Sequence, residues 1–419
     1  MRRHFEQNLM VPYLAGLFLV VSLLLQAPQE FLEGLVAIQL SESILLTDYV
    51  AVGGVGPALF NSGALMLLTY LLIRKFDLRI TGAIFAGILT IGGFALFGKN
   101  LINVPIIYAG VLLYAKYKLI EPRSVIGVFL FSTGLSPISS VVMFGVGLPL
   151  GYAIPLGILI GVIAGFLLVE LSSRVISFHR GYDLYNVGFA SGILSLGFFS
   201  ILKLVGLDYQ TNLIYTNDSH VLLLVLYIVF CSVYLIVGFL LNQRSLKGYK
   251  DLLSQSGRAV TDFTRRHNQP LTMFNIGLTG LLALGLILIL GIRINGPVLG
   301  GLMTIVGFAA FGKHIRNILP PMVGVVLVTL LLGLELSVPV VLAVLFATGL
   351  APVAGEYGIL IGILTGMLHL PIVTSLGTLH GGILLYSNGF AAAFTAVIMT
   401  TFVTSFKRRE EAPWHFTKK

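Results

Sequence analysis

Long apolar segments recur from residue 10 to residue 406, separated by short groups of polar or basic residues. Many of them reach about 18 residues or more, which is enough for a helix to cross a hydrocarbon core of roughly 30 Å. They lack the apolar–polar alternation of membrane β-barrel strands, and a helix satisfies its own backbone hydrogen bonds within lipid. The pattern therefore predicts an all-α integral membrane protein.

Some apolar segments are shorter, at about 13 to 15 residues between Pro, Gly or polar breaks. We predict that they form broken or re-entrant half-helices. Each half of the chain then contains five to seven membrane helices, because a short pair counts either as two crossings or as one hairpin. The short segments are residues 105–117, 320–332, 338–352 and 357–370.

The sequence also repeats itself, which predicts a duplicated unit. Repeat 1 covers residues 1–215, and repeat 2 starts with a first helix at 216–241. The matches keep an offset of 214, then 215, and then 201 after an insertion of 14 residues in the first half. The matching runs are 60–63 with 274–277, 93–99 with 307–313, 133–137 with 348–352, and 157–161 with 358–362.

Basic residues predict the orientation of these helices. The chain is 57% hydrophobic and 10% charged, with a net charge of +9. If the N-terminus is cytoplasmic, all Lys and Arg residues except Lys99, Lys203 and Arg293 fall in cytoplasmic segments. The positive charge then reports topology rather than nucleic-acid binding. We expect a multi-pass protein of a bacterial cytoplasmic (inner) membrane with both termini in the cytoplasm.

This charge pattern divides repeat 2 further. A basic cytoplasmic linker at 242–270 follows its first helix, the rest of the repeat spans 271–406, and a cytoplasmic tail covers 407–419. Both the linker and the tail must lie in the cytoplasm, which requires an odd number of crossings in each half. The two repeats are therefore predicted to have inverted topology, an architecture of many secondary transporters.

The strongest candidate site is a repeated Phe-Gly-Lys motif. Lys99, followed by Asn100, and Lys313 each end a Gly-rich apolar segment and precede a short helix. If those helices begin within the membrane, their N-termini and the lysines would attract an anionic solute. The alternative is that both lysines extend to an interface and mark loop ends.

A second candidate is the repeated Thr-Gly-Leu-x-Pro sequence, with Thr133 and Ser136 in one half and Thr348 in the other. A proline after small polar residues breaks a helix and frees carbonyl oxygens that can bind ions or polar solutes. Glu356, close behind the second break, could couple a proton or cation if it lies at membrane depth. It could equally be solvated at the tip of a hairpin.

Two further pairs of polar residues lie within apolar segments. His369 and His380 could relay protons, since histidine titrates near neutrality, or serve a structural role. Asn61 and Asn275 are related by the repeat, and they either bind substrate or form hydrogen bonds between helices.

Enzyme signatures are absent from the sequence. It contains no metalloprotease His pair, no serine nucleophile elbow and no phosphate-binding loop. The single cysteine, Cys231, lies in an apolar run. We therefore expect no enzyme activity, no catalytic residues, no metal and no cofactor. The expected partners are a small-molecule or ion substrate and the lipid bilayer, without nucleic acid, and a homo-oligomer remains open.

Three runs, residues 48–56, 93–100 and 114–117, resemble a bacterial and archaeal membrane-protein family that is defined only as a domain of unknown function. The resemblance covers nearly the whole chain and implies no substrate. The repeat unit, with Phe-Asn-x-Gly at 60–63, is also similar to the duplicated unit of urea transporters. The Asn-Pro-Leu-Ser-Gly type signature of those channels is absent, so the resemblance does not carry urea over as a substrate.

The sequence thus predicts a secondary transporter of a small polar solute, with anions included, that works by alternating access at the repeat interface. The second hypothesis is a passive channel for a small, urea-like neutral solute. The third is a membrane-embedded enzyme or a lipid-handling protein.

Overall fold

The computed structural model describes residues 10–44, 46–207, 209 and 213–406. Within these residues, nine helical segments are long and apolar enough to cross a membrane. The described part of the chain also contains four shorter apolar helices of 12 to 17 residues. The protein is therefore a multi-pass helical membrane protein, as the hydropathy pattern predicts.

The described part of the first half contains ten α-helices. They are α1 (Val11–Ser22), α2 (Pro28–Leu40), α3 (Tyr49–Gly53), α4 (Val55–Lys75), α5 (Gly82–Phe94), α6 (Asn103–Tyr117), α7 (Ile126–Phe131), α8 (Ser136–Ser140), α9 (Leu150–His179) and α10 (Asn186–Leu204).

The described part of the second half contains ten α-helices in the same order. They are α11 (His220–Leu241), α12 (Tyr249–Ser254), α13 (Phe263–Arg266), α14 (Gln269–Ile289), α15 (Gly296–Phe308), α16 (Ile315–Leu331), α17 (Val338–Phe346), α18 (Ala351–Tyr357), α19 (Ile359–Gly377) and α20 (Ser387–Phe406).

Equivalent helices make equivalent contacts in the two halves. Helix α1 packs on α4 as α11 packs on α14, and α6 packs on α9 as α16 packs on α19. Helix α10 of the first half also packs on its own equivalent, α20. The duplication seen in the sequence is therefore a duplication of tertiary structure.

The equivalent short helices α5 and α15 cross at two glycines. A Cβ built on Gly93 would lie 2.7 Å from the carbonyl oxygen of Gly300, and a Cβ built on Gly300 would lie 2.6 Å from that of Gly93. Exchanging the two halves maps this contact onto the one between Gly307 and Ala86, where a Cβ built on Gly307 would lie 3.1 Å from the carbonyl oxygen of Ala86. The pair of helices α5 and α15 therefore maps onto itself, with its individual contacts exchanged. The crossing therefore lies on a pseudo-two-fold axis that relates the halves, and only glycine permits so close an approach.

Each half also caps the axial helix of the other half. The Asp48 carboxylate accepts a hydrogen bond from the backbone N–H of Gly296, at the start of α15, over 3.3 Å. Its repeat equivalent, Asp262, accepts from the backbone N–H of Gly82, at the start of α5, with both oxygens at 3.2 Å. A helix N-terminus leaves backbone donors unpaired, so both carboxylates stabilise the interface between the repeats.

The helices after α6 and α16 are broken, as predicted, but they are longer than predicted. A 3-10 segment, Ser132–Leu135, joins α7 to α8, and its equivalent, Ala347–Leu350, joins α17 to α18. Each broken helix is nevertheless long and apolar enough to cross a membrane. The two segments are Pro122–Gly145 and Val338–Tyr357.

The prediction of short segments at 338–352 and 357–370 is therefore wrong. Pro352 lies in the first turn of α18, where a missing N–H is tolerated. Pro371 lies inside α19 without ending it. The segments at 105–117 and 320–332 do correspond to short helices, α6 and α16, of 15 and 17 residues.

The linker predicted at 242–270 packs onto the rest of the protein. It contains α12, which is the short helix that its sequence suggests, and α13. Leu252 and Phe263 are fully buried. Helix α14 begins at Gln269, slightly before the predicted boundary. The predicted tail at 407–419 lies outside the described residues.

The axial crossing can be tested by substituting glycines. Gly93→Ala should lower the free energy of unfolding by about 1–3 kcal/mol, because its methyl group overlaps the backbone of α15. Gly285→Ala is the control, since a Cβ there meets nothing within 4 Å and alanine favours a helix. Denaturant unfolding in detergent measures both variants. Equal free energies of unfolding for the two variants would contradict the close contact between α5 and α15.

Candidate functional site

The loops that carry the two predicted lysines are tied to the preceding long helix. The Asn61 amide donates to the carbonyl oxygens of Ala95 at 2.7 Å and Lys99 at 2.8 Å. Its equivalent, Asn275, donates to Ala309 at 2.8 Å and Lys313 at 2.9 Å. Of the two interpretations of these asparagines, the structure supports structural hydrogen bonds. These hydrogen bonds hold the backbone of each lysine against the long helix.

The N-terminus of the short helix after each lysine is already capped. Asn103 Oδ1 accepts from the Asn100 N–H at 2.9 Å, and Asn100 Oδ1 accepts from the Asn103 N–H at 2.8 Å. In the second half, Asn317 Oδ1 accepts from the His314 N–H at 2.9 Å. Asparagine side chains thus use part of the hydrogen-bonding capacity at these helix starts, and anion binding there stays a prediction.

The lysines themselves are fully buried, and each contacts a tyrosine of the other half. Lys99 Nζ donates to the Tyr386 hydroxyl at 2.6 Å. Lys313 Nζ donates to the Tyr185 hydroxyl at 2.6 Å and to Thr348 Oγ1 at 2.8 Å. We call these contacts the Lys99–Tyr386 and Lys313–Tyr185 locks. They exclude the alternative that the lysines extend to an interface.

An aromatic cluster surrounds both locks. Lys99 Nζ lies 4.8 Å from the ring centre of Phe94, and Lys313 Nζ lies 4.8 Å from that of Phe308. The described residues contain no carboxylate in a salt bridge with either lysine. Aromatic faces and hydroxyl oxygens thus provide the electron density that stabilises a buried ammonium group. A buried lysine without a carboxylate partner is costly, which makes this region the candidate functional site.

The freed carbonyl groups of the two helix breaks bind backbone donors of the opposite half. The Leu385 N–H donates to the Gly134 carbonyl at 3.2 Å, and the Leu184 N–H donates to the Gly349 carbonyl at 3.0 Å. In the first break, Ser136 Oγ donates back to the Thr133 carbonyl at 2.8 Å. These breaks therefore hold the segments that carry Tyr386 and Tyr185, and each of these carbonyl oxygens already accepts one hydrogen bond from the protein.

Two cavities lie next to the locks. Cavity A has a volume of about 660 Å³, and its wall includes both tyrosines, Tyr185 and Tyr386. Cavity B has a volume of about 600 Å³, and its wall includes Phe97 and Tyr209. The two cavities share three wall residues, Phe346, Leu385 and Asn388. They therefore approach each other at a common partition.

Cavities A and B are related by the internal repeat. Most wall positions of cavity B are the equivalents of wall positions of cavity A. The equivalent pairs are Ser124 with Pro339, Val125 with Val340, Gly127 with Leu342, Val128 with Ala343, Phe131 with Phe346, Val169 with Leu370, Ser172 with Val373, Ser173 with Thr374, Ile176 with Gly377, Leu184 with Leu385, Asn186 with Ser387, Val187 with Asn388, Val260 with Leu46, and Phe311 with Phe97.

None of the residues predicted from the sequence lines either cavity. Lys99, Lys313 and Thr348 lie directly behind the tyrosines of the cavity A wall. Glu356 is exposed at the end of α18 and lines neither cavity, so a coupling role for it stays a prediction.

The two histidines lie elsewhere in the fold. His369 is fully buried, and its Nε2 lies 3.2 Å from Oδ1 of Asn388, a residue of the partition. His380 packs edge-on against Phe390, with ring centres 4.7 Å apart.

Sequence reasoning missed Asp183 and the pairing of Tyr185 and Tyr386 with the opposite lysines. The two tyrosines are related by the repeat, but nothing in the sequence shows that each crosses to the opposite lysine. Asp183 is fully buried in the wall of cavity A. The sequence feature that could have indicated Asp183 is its position two residues before a tyrosine that recurs in the second half. Groups of three or more potential metal ligands are absent from the described residues.

The locks differ in one hydrogen bond, and this difference predicts unequal costs of removing the two hydroxyl groups. Tyr386→Phe should lower the free energy of unfolding by about 2 kcal/mol, because Lys99 loses the hydroxyl that it contacts. Tyr185→Phe should cost about half as much, since Thr348 still accepts from Lys313.

The control is Tyr152→Phe, at an exposed position that lines neither cavity. Denaturant unfolding of the detergent-purified variants measures all three. A cost for Tyr386→Phe no larger than that of the control would show that the Lys99–Tyr386 lock contributes nothing.

The model of the family described as "Protein of unknown function (DUF1576)" matches residues 27–204 and 241–405. The two matched stretches begin 214 residues apart and end 201 residues apart, which are the offsets of the internal repeat. No curated protein and no solved structure matches the chain, so the likeness to urea transporters stays a prediction. The chain belongs to DUF1576, a protein family of unknown function.

Proposed function

We propose that this protein is a secondary transporter of a small polar solute. One observation carries the proposal: two cavities with equivalent walls meet at a shared partition of Phe346, Leu385 and Asn388. In an inverted-repeat transporter, two related half-pathways lead from opposite faces to one central site. A protein with one cavity and no equivalent of it would not require a duplicated fold.

The positions of the cavity rims support opposite openings. Cavity A is bordered by Ala259 and Val260 of the basic linker, and by Ser173 near Arg174. Cavity B is bordered by Leu213 and Pro339, which lie in segments with few basic residues. With the basic segments in the cytoplasm, cavity A faces the cytoplasm and cavity B faces the outside. The two repeats then have inverted topology, in a bacterial cytoplasmic membrane.

The partition supports a transporter over a passive channel. Aromatic rings line cavity A on both sides of the repeat relation, with Phe94 and Phe346 centres 5.5 Å apart and the equivalent Phe308 and Phe131 centres also 5.5 Å apart. Phe346 also belongs to the partition with cavity B. The locks hold Tyr386 and Tyr185 against this cluster. Opening a path requires the rings to move, which is the expected behaviour of an alternating gate.

The charges near the partition favour an anionic solute. Two buried lysines lie behind the cavity A wall, and one buried carboxylate, Asp183, lies in it. If all three are ionised, the region carries an excess of one positive charge. A tyrosine that swings away from its lysine would expose that charge to a solute in the cavity. We propose that the protein binds its solute without chemical change and needs no cofactor.

Single cysteines at two equivalent cavity positions test the proposal. Ser173 in cavity A and Thr374 in cavity B are equivalent and exposed, while the native Cys231 is buried. A membrane-impermeant thiol reagent should modify Ser173→Cys only from the cytoplasmic side of sealed vesicles. It should modify Thr374→Cys only from the outer side.

The same pair of cysteine positions distinguishes a transporter from a passive channel. In a transporter, a bulky adduct at one position should slow modification at the other position of a double variant, because one cavity closes as the other opens. In a passive channel, a small hydrophilic reagent added on one side should reach both positions. Modification of both single variants from one side only would contradict the proposed pathway.

A further inference from the structure

One buried carboxylate lies beside the locks, and the proposed function does not yet use it. Asp183 lies in the loop between α9 and α10, two residues before Tyr185, and its side chain is fully buried. It forms part of the wall of cavity A. A carboxylate in that position faces the proposed solute pathway.

Asp183 has one satisfied oxygen and one unsatisfied oxygen. Oδ1 accepts a hydrogen bond from the Tyr185 N–H at 2.8 Å. Oδ2 is buried and has no hydrogen-bond partner among the described residues. A buried, charged carboxylate oxygen without a donor is costly, so this oxygen favours binding a proton.

Lys313, in its protonated form, is the cation that acts on Asp183. The two side chains are close enough for their charges to interact, although they do not form a salt bridge. They are also connected through Tyr185, whose backbone N–H binds Asp183 and whose hydroxyl binds Lys313. The charge of Asp183 thus acts on the same loop whose Tyr185 hydroxyl binds Lys313.

Only one of the two halves contains this carboxylate. The repeat equivalent of Asp183 is Leu384, which is fully buried. Every other part of the lock occurs twice: lysine, tyrosine, phenylalanine and threonine. A residue needed only for the architecture would be expected in both halves. Asp183 therefore points to a task that is performed once per transport cycle.

We propose that Asp183 and Lys313 form the proton-coupling site of the transporter, with Asp183 Oδ2 as the atom that binds the proton. This inference rests on the proposed function. A proton from the water of cavity A binds Oδ2, forms one O–H bond and cancels the negative charge of the carboxylate. Lys313 then loses the attraction of Asp183, and the loop of Tyr185 is free to reorganise. Release of that proton restores the starting charges.

A proton fits this site better than a metal cation does. Sodium-sized and larger cations need several oxygen ligands, whereas Asp183 offers a single free oxygen in a mainly apolar cavity. The ammonium group of Lys313 also repels a second cation. A proton needs only one lone pair and leaves the carboxyl neutral.

Several other ionisable groups belong to the loop of Asp183 or interact with that loop. His179 Nδ1 lies 3.4 Å from the Asp183 N–H, at the end of α9. The remaining groups belong to its own loop, to the linker and to the opposite half. They are Arg180, Tyr182, Tyr185, Arg258, Lys313, Glu356 and Tyr357.

The range in which Asp183 titrates follows from its burial. Burial raises the pKa of this carboxyl to about 8, while the charge of Lys313 opposes the rise. A raised pKa means that the folded protein favours the protonated form. The contribution of Asp183 to the free energy of unfolding is therefore greatest at low pH. It is lost as the pH rises from the ordinary carboxyl range through about pH 8.

The test measures how pH controls access to cavity A. Ser173→Cys is modified with an impermeant thiol reagent at about pH 7 and about pH 9, on either side of the Asp183 transition. Its rate is divided by that of Ser254→Cys, an exposed linker position outside both cavities, because thiol reactivity itself depends on pH. We expect this ratio to change several-fold between the two conditions.

Two substitutions decide whether Asp183 is responsible. Asp183→Asn removes the charge at nearly constant shape, and Asp183→Leu inserts the residue found at the equivalent position. Both should make the ratio independent of pH. Asp48→Asn is the control, since burial also raises the pKa of Asp48, to about 7, but Asp48 lines neither cavity. That variant should keep the pH dependence.

A ratio that is independent of pH in the parent protein would overturn the inference. So would a pH dependence that survives both Asp183 substitutions. The proposed function is judged separately, by the side from which Ser173→Cys and Thr374→Cys are modified at one pH. A sided but pH-insensitive protein would keep the transporter and lose the coupling site, whereas loss of sidedness would end both.

Discussion

The burial of two lysine side chains is the constraint on which the arrangement of the site depends. Neither Lys99 nor Lys313 is exposed, and each one finds its hydroxyl acceptor on the opposite half of the chain. Thr348 of its own half adds a second acceptor for Lys313, whereas the tyrosine acceptor comes from the opposite half in both cases. The two halves must therefore fold against each other before either lysine is stable in the membrane interior.

This exchange of partners recurs at every level of the interface. Asp48 and Asp262 cap helices of the opposite half, and the carbonyl groups of Gly134 and Gly349 accept from the opposite half. Contacts that map onto each other when the halves are exchanged define a two-fold relation. Two cavities of similar volume follow from the same relation, and the partition between them lies where the exchanged segments meet.

The sequence predicted the membrane class, the duplication and the helix breaks, because hydropathy and repeated motifs are local properties. It did not predict the partners of the tyrosines, since the pairing of Lys99 with Tyr386 joins residues far apart in the chain. It left two roles open for Asn61 and Asn275, and the structure shows that their amide donors hold the lysine loops. Glu356 was chosen for its charge and its place behind a helix break, whereas burial, which the sequence does not show, distinguishes Asp183.

The central claim is that the repeats are inverted across the membrane, and two equivalent loops test it most directly. Glu121 follows α6 and Glu335 follows α16, and both are exposed. Single cysteines at the two positions should react with an impermeant thiol reagent from opposite sides of sealed vesicles, Glu121→Cys from the cytoplasmic side. Reaction of both from the same side would make the repeats parallel and would contradict the account.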